Sequence, residues 1–211
     1  MEDPRLIELR LPRIVTAAAE EFADRGYHVT TVQDVAKRAG VSVGMIYQYV
    51  ADKQDLLNLV IGGVVSAYEE EVRRNSREGG EPLGRLVSLV RGLARVVVEH
   101  KAAARLGYRE ASQLRRDRLD DIKDRERALA AVVAERIRAC VEAGVCSPTN
   151  EAMLAYMCLI FVQSWPVSSW RLDREISHDE YVSEGLQILF RGLMPGRNLA
   201  ALFGMSPAAA T

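Results

Sequence analysis

The segment TTVQDVAKRAGVSVGMIYQYV, from Thr30 to Val50, constrains this chain more than any other. It holds two helical patterns, each far below the roughly 12–15 residues an isolated helix needs in water, so both must be held by packing. The first opens at Thr31, with Asp34 as a shortened capping-box acid, and stops at Gly40, where glycine permits a tight corner. Ser42 is placed to cap the second. Val35, Ala36, Ala39, Val41 and Ile46 supply a small shared core. This spacing predicts a helix-turn-helix, a motif whose second helix enters the DNA major groove. The outward face carries Ser42, Val43, Gly44, Tyr47 and Gln48. Gly44 admits close backbone approach, Tyr47 and Tyr49 offer hydroxyls to phosphates, and Gln48 matches an adenine edge. Thr31 and Lys53, each in the first turn of a helix, complete the expected phosphate contacts.

Around this segment nearly every stretch repeats with helical period, and no alternating strand pattern of useful length occurs. Ile14, Val15, Ala18 and Phe22 stripe a first helix that opens near Pro12, in its first turn, and stops near Gly26. Asp52 caps a long fourth helix, and the polar run SREGGEP after Asn75 is the best domain boundary. Further helices run from Pro82, from Lys101 to Leu114, and from Leu119 to a C-cap at Gly144. Thr149 is the expected cap of an uncharged helix in which Pro166 should make a kink or an end, and Ser177 with Glu180 forms a full capping box. The expected fold is all-α: an N-terminal three-helix DNA-binding domain and a C-terminal helical domain, about nine helices in all. The expected boundaries are 1–55 for the first domain, with helix 52–75 as connector, 76–195 for the second, and 196–211 as a flexible tail.

Charge gives no help to a nucleic-acid reading. Net charge is −1, and acids outnumber bases within the first sixty residues. Placement answers this in part, because Glu20, Glu21 and Asp24 lie away from the recognition helix while Arg5, Arg10 and Arg13 lie on an expected N-terminal arm. Cys140, Cys146 and Cys158 form no paired framework and read as reduced thiols of a cytoplasmic protein. The uncharged stretch Ala152–Trp170 approaches a membrane span in length but carries Gln163, Pro166 and several serines, so a buried core or interface helix is expected instead. His28, His100 and His178 are far apart, and no metal-ligand spacing, nucleophile motif or glycine-rich phosphate loop occurs. No catalytic residue, metal or cofactor is therefore expected.

The motif resembles the signature of the TetR family of transcriptional regulators. Thr31, Val35, Ala36, Ala39, Gly40, Val41, Ser42, Gly44, Ile46, Tyr47, Tyr49 and Lys53 carry the likeness, and AAAEEFADRGYHVTT before them matches the family's first helix and its exit. Val50 stands where the family usually has Phe, and Val43 and Met45 where Lys and Thr are frequent, which leaves the operator sequence open. The resemblance implies a repressor that binds a pseudo-palindromic DNA operator as a homodimer and is released by a small molecule. A single helix-turn-helix reads few base pairs, so a two-fold dimer is also a physical requirement. The helices near 149–170 and 177–193 are the expected interface. GYRE at Gly107–Glu110 and the Trp-containing C-terminal region are similar to a subgroup that regulates acyl-CoA degradation, which implies a CoA thioester as effector. Arg105 and Arg109 are then candidates for its phosphates, and Tyr108, Tyr156, Phe161, Trp165 and Trp170 for its acyl tunnel. The bland alternative pairs the arginines of this region, Arg115, Arg116 and Arg118 included, with Glu110, Asp117, Asp120 and Asp121 at the surface. A rival function is a helical small-molecule-binding or protein-interaction module that no longer reads DNA.

Overall fold

The structure, a computed structural model, describes residues 4–77, 79–172 and 176–194, with side chains from residue 10 onward. Among these there are nine α-helices and no strand: α1 Pro4–Arg25, α2 Val32–Ala39, α3 Val43–Ile46, α4 Lys53–Ser76, α5 Pro82–Glu99, α6 Lys101–Glu110, α7 Arg116–Glu142, α8 Glu151–Ser168 and α9 His178–Phe190. The expected tail 196–211 and the side chain of Arg5 lie outside the described residues.

Contacts divide the chain into two units, Met1–Ala67 with His100–Asp124, and Tyr68–Glu99 with Arg125–Thr211. The split is not the linear boundary read from the sequence, because α6 packs on α1 and so joins the first unit. Gly107 of α6 lies against Ile61 of α4, where an added Cβ would sit 3.6 Å from a side-chain carbon. In the first unit Ile14, Phe22, Val35, Ile46, Leu56 and Leu57 are fully buried. Full burial of each such side chain is worth about 1.5–3 kcal/mol, which is what holds helices as short as α2 and α3 in place.

In the second unit α5 packs on α8, and α8 on α9. Leu86, Leu89, Leu93, Ile137, Leu186 and Phe190 are its largest fully buried side chains. The Phe161 ring stacks on Tyr181 with centroids 4.4 Å apart, and it occupies the place a Cβ on Gly185 would need. Glu71 lies over Gly92 in the same way, only 4% exposed, and forms ion pairs with Arg74 and, at 3.5 Å, Arg95.

Three local expectations are corrected. Helix α1 already runs from Pro4, so Pro12 sits inside it rather than in its first turn, at the cost of one backbone hydrogen bond. Asn150, not Thr149, caps α8, its side chain accepting from the Met153 N–H at 3.0 Å. Pro166 lies two residues before α8 ends at Ser168, close to the end expected there, and a 3-10 turn follows at Ser169–Arg171. The stretch expected to be helical to Leu114 also divides, α6 ending at Glu110 and a 3-10 turn following at Ala111–Gln113. Helix α8 is long and apolar enough to cross a membrane, yet Leu154, Ala155, Cys158, Leu159 and Val162 are buried in the second unit. The three thiols are buried too, and burial pushes Cys158 up to about 12.

Candidate nucleic-acid interface

Gly40 ends α2 in the left-handed region, φ 66°, and its N–H reaches the carbonyls of Ala36 and Lys37. Any other residue would be strained there. The Ser42 hydroxyl accepts the Met45 N–H at 3.2 Å and opens α3. Helix α3 itself is one turn, but the Tyr49 and Val50 N–H groups both donate to the Ile46 carbonyl, at 2.9 and 3.2 Å, and carry the winding onward. Fully buried Ile46 is its anchor, set in the α2 face made by Val32, Val35, Ala36 and Ala39. The segment presents Ser42, Gly44, Tyr47 and Gln48 to solvent, with Val43 half-buried beside them. A Cβ built on Gly44 meets nothing within 4 Å, so this face is open.

Thr31 is exposed at the start of α2, and its capping box forms as expected: the hydroxyl donates to Asp34 Oδ2 at 2.7 Å and accepts the Asp34 N–H at 3.2 Å. The Thr31 hydroxyl and N–H, with the Arg25 guanidinium at 2.8 Å, hold the Asp34 carboxyl down at about 2.

Two expected phosphate contacts are placed otherwise. The Tyr49 hydroxyl is buried and has no hydrogen-bond partner among the described residues. Because winding continues past α3, residue 49 falls three after Ile46 and shares its inward face. Lys53 donates to the carbonyls of Tyr27, His28 and Thr30 at 2.9, 3.1 and 3.1 Å, and its ammonium lies 4.6 Å from the Tyr27 ring centroid. Its three protons are thereby committed to the loop that leaves α1, whose carbonyls no helix satisfies. Lys53 positions the start of α2 rather than presenting a free cation.

The acids that weighed against DNA binding are consumed in the same way. Arg38 of α2 bridges Glu20, Glu21 and Asp24 of α1 at 3.3, 2.9 and 2.8 Å. Arg13 donates to the Ala39 carbonyl at 3.1 Å, closing the C-terminal end of α2, so it is a brace inside a helix and not part of an arm. No local signal in the sequence marks these ties, which join residues 14 to 26 apart. Lys37, exposed in the last turn of α2, was not singled out by the motif and forms no ion pair with a described residue.

The residues expected to bind an effector fall in different units. Arg105, Tyr108 and Arg109 belong to the first, and Tyr156, Phe161, Trp165 and Trp170 to the second. Tyr108 and Trp170 are each 69% exposed and Tyr156 55%, whereas Trp165 is enclosed beside Tyr181 and His178, at 4.8 and 5.3 Å. Arg109, Arg116 and Arg118 pair with Glu110, Asp120 and Asp117 at 3.6, 3.9 and 3.7 Å, as the bland alternative has it. Arg115 instead bridges Asp52 and Asp55 at the start of α4, at 2.5 and 2.9 Å.

A short, capped second helix on a glycine corner, outward-facing and polar, defines a helix-turn-helix DNA-binding protein. Residues 14–60 match the family model described as bacterial regulatory proteins, tetR family, and residues 79–193 the tetracyclin repressor-like C-terminal domain. The chain belongs to the TetR family and is a DNA-binding transcriptional regulator. It is 36% identical over 200 residues to the HTH-type transcriptional regulator HbdR of Aromatoleum sp. (strain CIB), a match covering 95% of this chain and 87% of the relative. Its fold matches the ketosteroid transcriptional regulator KstR2 of Mycobacterium tuberculosis with TM-score 0.73 at 22% identity, over 88% of this chain and 95% of that one. AibR, solved in complex with isovaleryl coenzyme A and operator DNA, matches with TM-score 0.73 at 20% identity, over 86% and 98%.

Proposed function

We propose that the chain is a cytoplasmic repressor without enzymatic activity, which binds a pseudo-palindromic operator as a homodimer and leaves it when a small molecule occupies the second unit. The open face Ser42–Gln48 on a braced segment is the observation that carries this reading. Ser42, Val43, Gly44, Tyr47 and Gln48 meet the duplex, Thr31 and Lys37 take phosphates, and Lys53 acts through the loop it holds. The dimer forms through α8 and α9. Met153, Tyr156, Met157 and Ile160 recur at helical spacing along α8 and are 57, 55, 43 and 39% exposed, and Ile188 on α9 is 72% exposed. Such an apolar stripe in a monomer is what a self-complementary helical seam would cover. This assigns Tyr156 to the interface rather than to an acyl tunnel.

A CoA thioester is the effector class supported by the complex of AibR, and Phe161 and Trp165, inside the second unit, remain its candidate acyl contacts. The effector must bind the dimer that cannot span two half-sites better than the one that can, since equal affinity shifts nothing. The test is fluorescence anisotropy on DNA from upstream of the protein's own gene, titrated with short- and medium-chain acyl-CoA. Saturable, salt-sensitive binding reversed by a thioester is expected. Binding that no thioester alters rejects the effector, and absence of binding rejects the regulator in favour of an interaction module.

A further inference from the structure

The turn that leaves α7, wholly within the second unit, brings two thiols together. Gly144 stands there in the left-handed region, φ 66°, and reverses the chain. Its N–H donates to the Val141 carbonyl at 2.9 Å, and the N–H groups of Val145 and Cys146 both donate to the Cys140 carbonyl, at 2.9 and 3.2 Å. The last of these bonds joins the backbones of Cys140 and Cys146 themselves. Covalent geometry then keeps their Cα atoms within about 7 Å of each other, the limit for closing a disulfide without moving the backbone. The side chains meet as well: the two thiols share a hydrogen bond, and both residues are enclosed, Cys140 fully and Cys146 to within 4%. Hydrogen bonding to Cys146, followed by burial, raises the Cys140 pKa, so at neutral pH Cys140 is a thiol. Cys158 on α8 is different, because burial alone raises its pKa.

We propose that Cys140 and Cys146 form a reversible oxidation site, which closes to an intramolecular disulfide when a peroxide reaches the turn. Access comes from the turn itself. Residues 143–150 lie outside any helix, and such backbone opens at lower free energy than the helices it joins. Cys146 lies on that opening segment, whereas Cys140 lies inside α7. The exposed Cys146 sulfur attacks hydrogen peroxide, the O–O bond breaks, and a sulfenic acid and one water result. The Cys140 sulfur then displaces the sulfenic hydroxyl, which leaves with the Cys140 proton as a second water. The pair of thiols loses two electrons and the peroxide gains them. A dithiol reductant returns both thiols by exchange. In the same turn the Ser147 N–H donates to the Leu193 carbonyl at 2.8 Å, so the new bond would lock a segment tied to the end of the described chain as well as to α7 and α8. The site depends on neither the DNA reading nor the effector reading.

The test treats the full-length protein, folded and without denaturant, with hydrogen peroxide. Catalase removes the excess, remaining thiols are alkylated in denaturant, and unreduced fragments are mapped after cleavage at glutamates. Glu135, Glu142 and Glu151 place the three cysteines on separate fragments. The expected product is the fragment ending at Glu142 joined to the one ending at Glu151, with Cys158 alkylated, and a dithiol reductant should restore all three thiols. Cys158→Ala should form the same link. In Cys146→Ala the loss of the Cys140 thiol should slow at least tenfold. Three alkylated cysteines in the treated native protein overturn the proposal, as does a link through Cys158 or between two chains. So does undiminished loss of the Cys140 thiol in the folded Cys146→Ala variant.

Discussion

The recognition segment and the α8–α9 pair differ in what they leave uncovered. From Thr31 to Val50 the long cations nearby are spent inside the unit, Arg38 on three carboxylates, Lys53 on three carbonyls and Arg13 on one. What remains outside, apart from the exposed Lys37 of α2, is short or neutral: Ser42, Gly44, Tyr47 and Gln48. Between α8 and α9 the hydroxyls of Ser164 and Tyr181 lie 2.9 Å apart, while Met153, Met157, Ile160 and Ile188 face out. One surface is a rigid polar face suited to a duplex, and the other an apolar face suited to a second copy. Charge therefore orients the first region from within, and affinity for DNA must come from having two of them.

That contrast breaks most visibly at the seam. Met157→Glu combined with Ile160→Glu should give a folded monomer in sedimentation velocity and lower operator affinity at least about a hundredfold, because one half-site is too few contacts. A dimer that survives both charges would move the interface elsewhere. In the other region, Lys53→Met strands three carbonyls together and should cost about 1.5–3 kcal/mol in urea denaturation. If stability is unchanged and only the salt slope of DNA binding falls by about one, Lys53 holds a phosphate instead. Gly44→Ala sharpens the difference between frame and face. Its methyl meets open space in the free protein, so stability should stay within about 0.5 kcal/mol, while close approach of DNA should make operator affinity drop about tenfold.

The smallest effect is acidic. Asp34 is held at about 2, below its ordinary 3.8, so the stability it contributes is complete above 3.8 and is lost as pH falls towards 2. In Asp34→Asn the acid-unfolding curve should flatten across that window, and an unaltered curve would mean the capping box contributes nothing there.

The same two regions explain what the sequence made legible. Caps were readable because donor and acceptor lie three residues apart: Thr31 with Asp34, Ser42 with Met45, Ser177 with Glu180. The braces were not, since Arg13 to Ala39 and Lys53 to Tyr27 each join residues 26 apart and depend on how α1 meets α2 and α4. The residue types of the recognition helix were right for its outer face except at Tyr49, where winding past Ile46 turned the ring inward. In the second unit the apolar helices were plain, but periodicity alone could not separate Trp165, which is buried, from Trp170, which is not. A helix apolar on every side carries no phase.

Footprinting of the native protein and of Tyr47→Phe/Gln48→Ala on DNA upstream of its own gene tests the central claim most directly. The native dimer should protect two half-sites centred about 34–36 Å apart or a multiple of that spacing, one face of the duplex. The double variant, equally stable, should need at least about ten times more protein for the same protection. Equal protection by both proteins would contradict the assignment of the Ser42–Gln48 face as the surface that reads DNA.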